Sequence, residues 1–129
     1  MGKAELLKKY PNGKLKKIRF KEYNYLFEQN GNTYYIKSLK AHSNTILSIN
    51  SKYVWEIRYG KAVGINFKTA RKERIDMREF QSLPNKIVLL QSKPYKILKY
   101  INESEVVDIS DVKEIHDVKI IFELEEIDV

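Results

Sequence analysis

Cysteine is absent from all 129 positions. That single absence excludes disulfides, thiolate zinc sites, redox dithiols and thiol nucleophiles together. Glycine and proline are scarce, at five and three residues, and the glycines stand singly where turns account for them. No phosphate-cradling glycine loop or dinucleotide fingerprint is therefore present, and no Gly-x-Ser-x-Gly nucleophile elbow occurs. Histidine is limited to His42 and His116, and no spacing ties either to a metal site. No metal and no cofactor is expected. Long apolar runs are missing too: Ile87–Leu90 is the longest clean one, far too short to cross a bilayer, so no membrane partner is expected. Residues 1–10 carry no apolar signal segment, and Leu6 stands where a myristoylation signal wants Ser or Thr. The expected location is the cytoplasm.

What is present suits one domain spanning 1–129. Hydrophobic residues reach 43%, enough for a core, and charged residues 32%, enough to keep a surface wet. The net charge of +7 is unevenly spread. Residues 1–75 hold 17 Lys/Arg against 5 Asp/Glu, a balance of +12, whereas residues 76–129 hold 7 against 12, a balance of −5. Nucleic acid, DNA or RNA alike, is the first partner such asymmetry suggests. The competing reading folds the acidic end onto the basic part of the same chain, or of a second copy.

Local patterning points to an α+β fold: a mainly antiparallel β-sheet or partly open barrel, built as a meander with one to three short helices. A helix is expected at Ala4–Lys9, ended by Pro11-Asn12-Gly13. Strands follow at Lys14–Phe20, with Ile18 and Phe20 on one face, and at Tyr23–Gln29. Asn30-Gly31 suits the positive φ angles of a type I′ hairpin turn, and Thr33–Lys40 runs back. Thr45–Ile49 and Tyr53–Tyr59 come next; in the latter Tyr53, Trp55, Ile57 and Tyr59 share a face. Gly60-Lys61 offers a tight turn into Ala62–Phe67. Thr69–Leu83 is assigned as helix on propensity, with Thr69 as cap and Pro84 as stop, although Ile75 and Met77 alternate as in a strand. Further strands are expected at Ile87–Gln91, Tyr95–Ile101, Val106–Ile109 and Val118–Ile127, with a helix or turn at Val112–His116.

Three functional readings follow. The first is a non-catalytic nucleic-acid-binding domain of low sequence specificity. Lys14, Lys16, Lys17, Arg19 and Lys21 crowd one segment, with Tyr25, Tyr35 and Lys37 close by. Cations that track phosphates beside aromatic faces are how single strands are held. As a helix, 69–83 would add Arg71, Arg74 and Arg78 as one stripe beside Lys72, and arginine forks suit phosphate oxygens. The second reading is a small interaction or regulatory protein, as a homodimer or with a protein partner, pairing basic and acidic surfaces. The third is a Mg²⁺-dependent nuclease in which Asp111, Lys113, Asp117 and Lys119 pair acid with lysine, aided by Glu103, Glu105 or Asp108. Two-residue coincidences of that kind are common in so charged a chain, which weighs against catalysis.

Overall fold

Period-two apolar alternation dominates the chain, and most of it folds as strand. The computed structural model describes residues 2–60, 71–102 and 105–129. Within them the order is α1 (Lys3–Lys9), β1 (Lys14–Lys17), β2 (Tyr25–Gln29), β3 (Asn32–Leu39), β4 (Thr45–Ile49), β5 (Val54–Tyr59), β6 (Lys72–Asp76), α2 (Arg78–Gln81), β7 (Lys86–Leu90), β8 (Lys96–Asn102), β9 (Glu105–Asp108), β10 (Glu114–Ile115) and β11 (Val118–Ile121). A 3-10 turn follows at Leu124–Glu126.

The strands build two open sheets, β1-β2-β3-β7-β11-β10 and β6-β5-β4-β8-β9. The expectation of one mainly antiparallel sheet or partly open barrel holds in part: the chain is mostly strand, but it forms two open sheets of mixed direction, in which β3 with β7, β7 with β11, and β4 with β8 run parallel. Each parallel pair is separated by a long excursion that returns the chain in its original direction. Alternation within a strand reports which face is buried and not the direction of its neighbour. By contact density the chain divides into two compact units, residues 1–40, 79–91 and 113–129, and residues 41–78 and 92–112.

The first unit holds the β1-to-β10 sheet. Its core comprises Leu6 from α1, Phe27, Ile36, Ile87, Leu89 and Ile121 from the strands, and Leu124 and Ile127 from the C-terminal turn. Gly13 is required where the chain passes this core, because a Cβ there would stand 2.7 Å from the Phe27 ring. Asn30 and Gly31, at φ 52° and 76°, form the expected two-residue turn between Gln29 and Asn32. A second turn of this kind joins β10 to β11 through His116 (φ 52°) and Asp117 (φ 63°), where only a helix or turn was expected. The Val118–Ile127 strand stops at Ile121, and the 3-10 turn packs on α1: Lys9 Nζ donates to the Ile127 carbonyl at 2.8 Å and lies 4.0 Å from Asp128.

The second unit holds the β6-to-β9 sheet. Trp55, Ile57, Leu47, Ile49 and Ile97 are buried and lie on one face, as their pairing register requires. Tyr53, expected on the same face, precedes β5 and is exposed. The helix expected over 69–83 is corrected at Lys72–Asp76, which is strand β6; only Arg78–Gln81 is helical. Pairing of Ile75 against Trp55 outweighs the helix propensity of Lys, Glu and Arg, which is worth only tenths of a kcal/mol per residue. The expected Gly60-Lys61 turn and Ala62–Phe67 strand fall on residues outside those described, apart from Gly60. β5 pairs antiparallel with β4 on one side and with β6 on the other.

Candidate nucleic-acid interface

Strand β1 pairs with β2 and forms one margin of its sheet. Edge strands carry exposed lysines for a physical reason: charge opposes pairing with another chain. Lys14, Lys16 and Lys17 are all exposed, as are Arg19 and Lys21 beyond the strand. Lys14 and Lys16 oppose Glu28 and Leu26, whereas Lys17 opposes Tyr25 on the other face. Lys16 lies 3.5 Å from Glu28, an exposed pair worth at most about 1 kcal/mol. Among the described residues, Lys14, Lys17, Arg19 and Lys21 have no carboxylate within ion-pairing distance.

The remaining residues of this set have other duties. Lys37 is largely buried; it donates to the Glu22 carbonyl at 3.2 Å and lies 3.7 Å from its carboxylate. Tyr35 is half-buried and meets Tyr23 edge-on, with ring centroids 5.0 Å apart. Tyr25 packs on the core with Leu15 and Tyr34, because it shares its face with Phe27 and not with Lys14. Ile18 and Phe20 do not continue β1. The strand ends at Lys17, and Phe20 is 100% exposed at φ 62°. Sequence reasoning missed Phe20 by carrying strand parity past the end of the strand.

In the second unit the arginine stripe does not exist, since Arg74 stands in a strand and Arg78 in a separate helix. Lys72 and Arg74 share one face of β6, opposite Arg58 and Glu56, and both are exposed. Arg71 stacks its guanidinium 5.1 Å from the Tyr59 ring centre, a cation–π contact. The Tyr59 hydroxyl donates to Glu73 at 3.0 Å, which pushes its pKa up. Arg78 forks onto Asp76, the shortest contact being 2.7 Å, and also gives Asp76 its backbone N–H. These bonds bring the Asp76 carboxyl down to about 2. Arg58 is buried and pairs with Glu56 at 3.1 Å. Burial pulls its pKa below the usual arginine value, and Glu56 opposes that pull. β6 thus forms a second basic margin, carried by Arg71, Lys72 and Arg74, with Arg78 largely neutralised.

The nuclease residues are divided between the units: Asp111 belongs to the second, and Lys113, Asp117 and Lys119 to the first. Asp117 and Lys119 line a cavity of about 350 Å³ with Glu114, Tyr34 and Lys86. Asp108 is engaged locally, accepting the Ser110 backbone N–H at 2.9 Å and hydroxyl at 2.6 Å, which lowers its pKa. Glu105 is exposed on β9, and Glu103 lies outside the described residues. Among the described residues no three His, Asp or Glu side chains are grouped to hold a metal ion. His42 accepts the Asn44 N–H through Nδ1 at 3.2 Å.

Comparison with protein-family models, curated proteins and solved structures finds no match. Among the described residues no helix is long and apolar enough to cross a membrane.

Proposed function

We propose that this protein is a non-catalytic nucleic-acid-binding module of low sequence specificity. It contacts phosphates through the β1 margin and the loop that follows it, and through Arg71, Lys72 and Arg74 at the β6 margin. The observation that carries the reading is the group Lys14, Lys17, Arg19 and Lys21, four exposed cations without carboxylate partners among the described residues. Part of the acidic C-terminus is drawn onto α1 by Lys9, so that acid is spent on the first unit's own helix. The low specificity in this reading follows from its contacts being to phosphate, since phosphate contacts alone position without specifying.

The test is binding of the purified protein to labelled single-stranded DNA, duplex DNA and single-stranded RNA at low and moderate salt. Micromolar or tighter binding is expected, with affinity falling steeply as salt rises. Reversing Lys14, Lys17, Arg19 and Lys21 to Glu should weaken it by about tenfold or more without unfolding the protein. Absence of binding at low salt sinks the reading.

A second reading, association with another copy of the chain, rests on β9. All four of its residues are exposed, including Val106 and Val107 at 42% and 41%, and it forms one margin of its sheet. An unpaired apolar edge strand is a template for another strand. Glu105 and Asp108 on β9 complement Lys72 and Arg74 on β6. Solution mass that falls from dimer or larger to monomer as salt rises would support this reading; a monomer at every salt concentration would remove it.

A further inference from the structure

Between β1 and β2 the chain forms a loop whose base is tied three times. The Ile18 N–H donates to the Asn24 carbonyl at 2.8 Å, the Asn24 N–H to the Ile36 carbonyl at 2.7 Å, and the Ser38 N–H to Asn24 Oδ1 at 2.7 Å. The side chains ahead of the base are also held: Glu22 by Lys37, and Tyr23 edge-on against Tyr35. Arg19, Phe20 and Lys21 are left, all exposed, at the tip.

A wholly exposed phenylalanine loses the full hydrophobic gain of burial. At φ 62° it also carries a backbone cost, since a bulky side chain in the left-handed region crowds the following carbonyl. Glycine or asparagine would serve better if the loop had only to turn. A rigid base that presents one strained aromatic between two cations is the arrangement expected of a ligand clamp. We propose that Phe20 is a base-stacking platform for single-stranded nucleic acid, with Arg19 and Lys21 holding the phosphates on either side of the stacked base; this rests on the nucleic-acid reading above. Every base has a π-face, so the platform selects single strands over duplex without reading sequence. A membrane surface fits the loop less well: Phe20 is the sole exposed large apolar side chain among residues 17–24, whereas interfacial insertion needs a broad apolar face.

The experiment compares wild type, Phe20→Asn, Phe20→Trp and the Arg19→Glu/Lys21→Glu pair. Each is titrated with a labelled oligothymidylate, a duplex of equal length, and vesicles containing phosphatidylserine. Asparagine tolerates the left-handed backbone, so Phe20→Asn keeps the fold, and a thermal melt verifies this. The expected result is a loss of about 5- to 150-fold in oligothymidylate affinity for Phe20→Asn, with unchanged salt slope, unchanged duplex affinity, and retention of binding by Phe20→Trp. Should Phe20→Asn bind as wild type does while the charge-reversed pair fails, the platform is overturned and the basic margin stands. If no variant, wild type included, binds either oligonucleotide, both ideas fall. Vesicle binding lost on Phe20→Asn, without oligonucleotide binding, assigns the loop to a membrane and overturns the proposal.

Discussion

Trp55 and Ile75 stand directly opposite one another across the β5–β6 ladder, Trp55 fully buried and Ile75 nearly so. This pair converts a segment rich in helix-forming residues into an edge strand. Ile75→Ala should therefore destabilise the protein by about 2–4 kcal/mol, whereas Arg74→Ala, exposed on the same strand, should change stability by no more than ~0.5 kcal/mol. Chemical denaturation measures both, and equal effects would contradict the assignment of β6.

The Arg78 fork makes the Asp76 carboxyl an unusually strong acid. The sign follows from a folded-state pKa of about 2 against an ordinary value of 3.8. A depressed pKa contributes stability that is fully present above the ordinary value and is lost as pH falls through the folded one. An NMR titration should place the Asp76 midpoint near 2 and show it returning toward 3.8 in Arg78→Gln. The stability slope between those two pH values should also flatten in that variant. A midpoint unmoved by Arg78→Gln would assign the shift to another cause.

At the C-terminus, packing and charge separate cleanly. Ile127 is buried in the core of the first unit, while Asp128 meets Lys9 at 4.0 Å with most of its side chain in water. Ile127→Ala should cost about 2–4 kcal/mol, and Asp128→Ala no more than about 0.5 kcal/mol. Urea midpoints of the two variants check the contrast, and a larger loss for Asp128→Ala would reverse it.

The β10–β11 turn uses His116 and Asp117 at positive φ, where glycine is easier for the backbone. Asp117→Gly should raise stability by about 0.5–1 kcal/mol. A thermal shift upward confirms the turn. A loss would mean that the Asp117 side chain makes a contact worth more than the strain it bears.

Much of this architecture was legible from residues acting locally. Asn30-Gly31 announced its hairpin because few other pairs accept two positive φ angles in succession, and Trp55 in line with Ile57 announced a buried face. His116-Asp117 gave no such signal, since neither residue is obliged to turn. The parallel pairings were hidden for another reason: they join strands tens of residues apart, and nothing inside a strand encodes the direction of its neighbour. At Lys72–Asp76 propensity outvoted the faint alternation of Ile75 and Met77, and tertiary pairing overruled propensity. The candidate interface was half visible. The crowding of Lys14–Lys21 is written in the sequence, but the exposure of Phe20 depends on β1 ending at Lys17, and strand boundaries are set by the partner strand.

The chain passes between its two units four times, at 40/41, 78/79, 91/92 and 112/113. This ordering has a consequence for biosynthesis. Every described strand of the β6-to-β9 sheet precedes β10 and β11 in the chain, so that sheet has all its described strands synthesised while the other still lacks two. The other sheet waits for β11, and Leu6, Phe27 and Ile36 wait for Leu124 and Ile127 to cover them. The half of the protein that carries Phe20 and the β1 lysines is begun first and completed last, and during that interval its apolar residues are the nascent chain's point of exposure to aggregation and to chaperones.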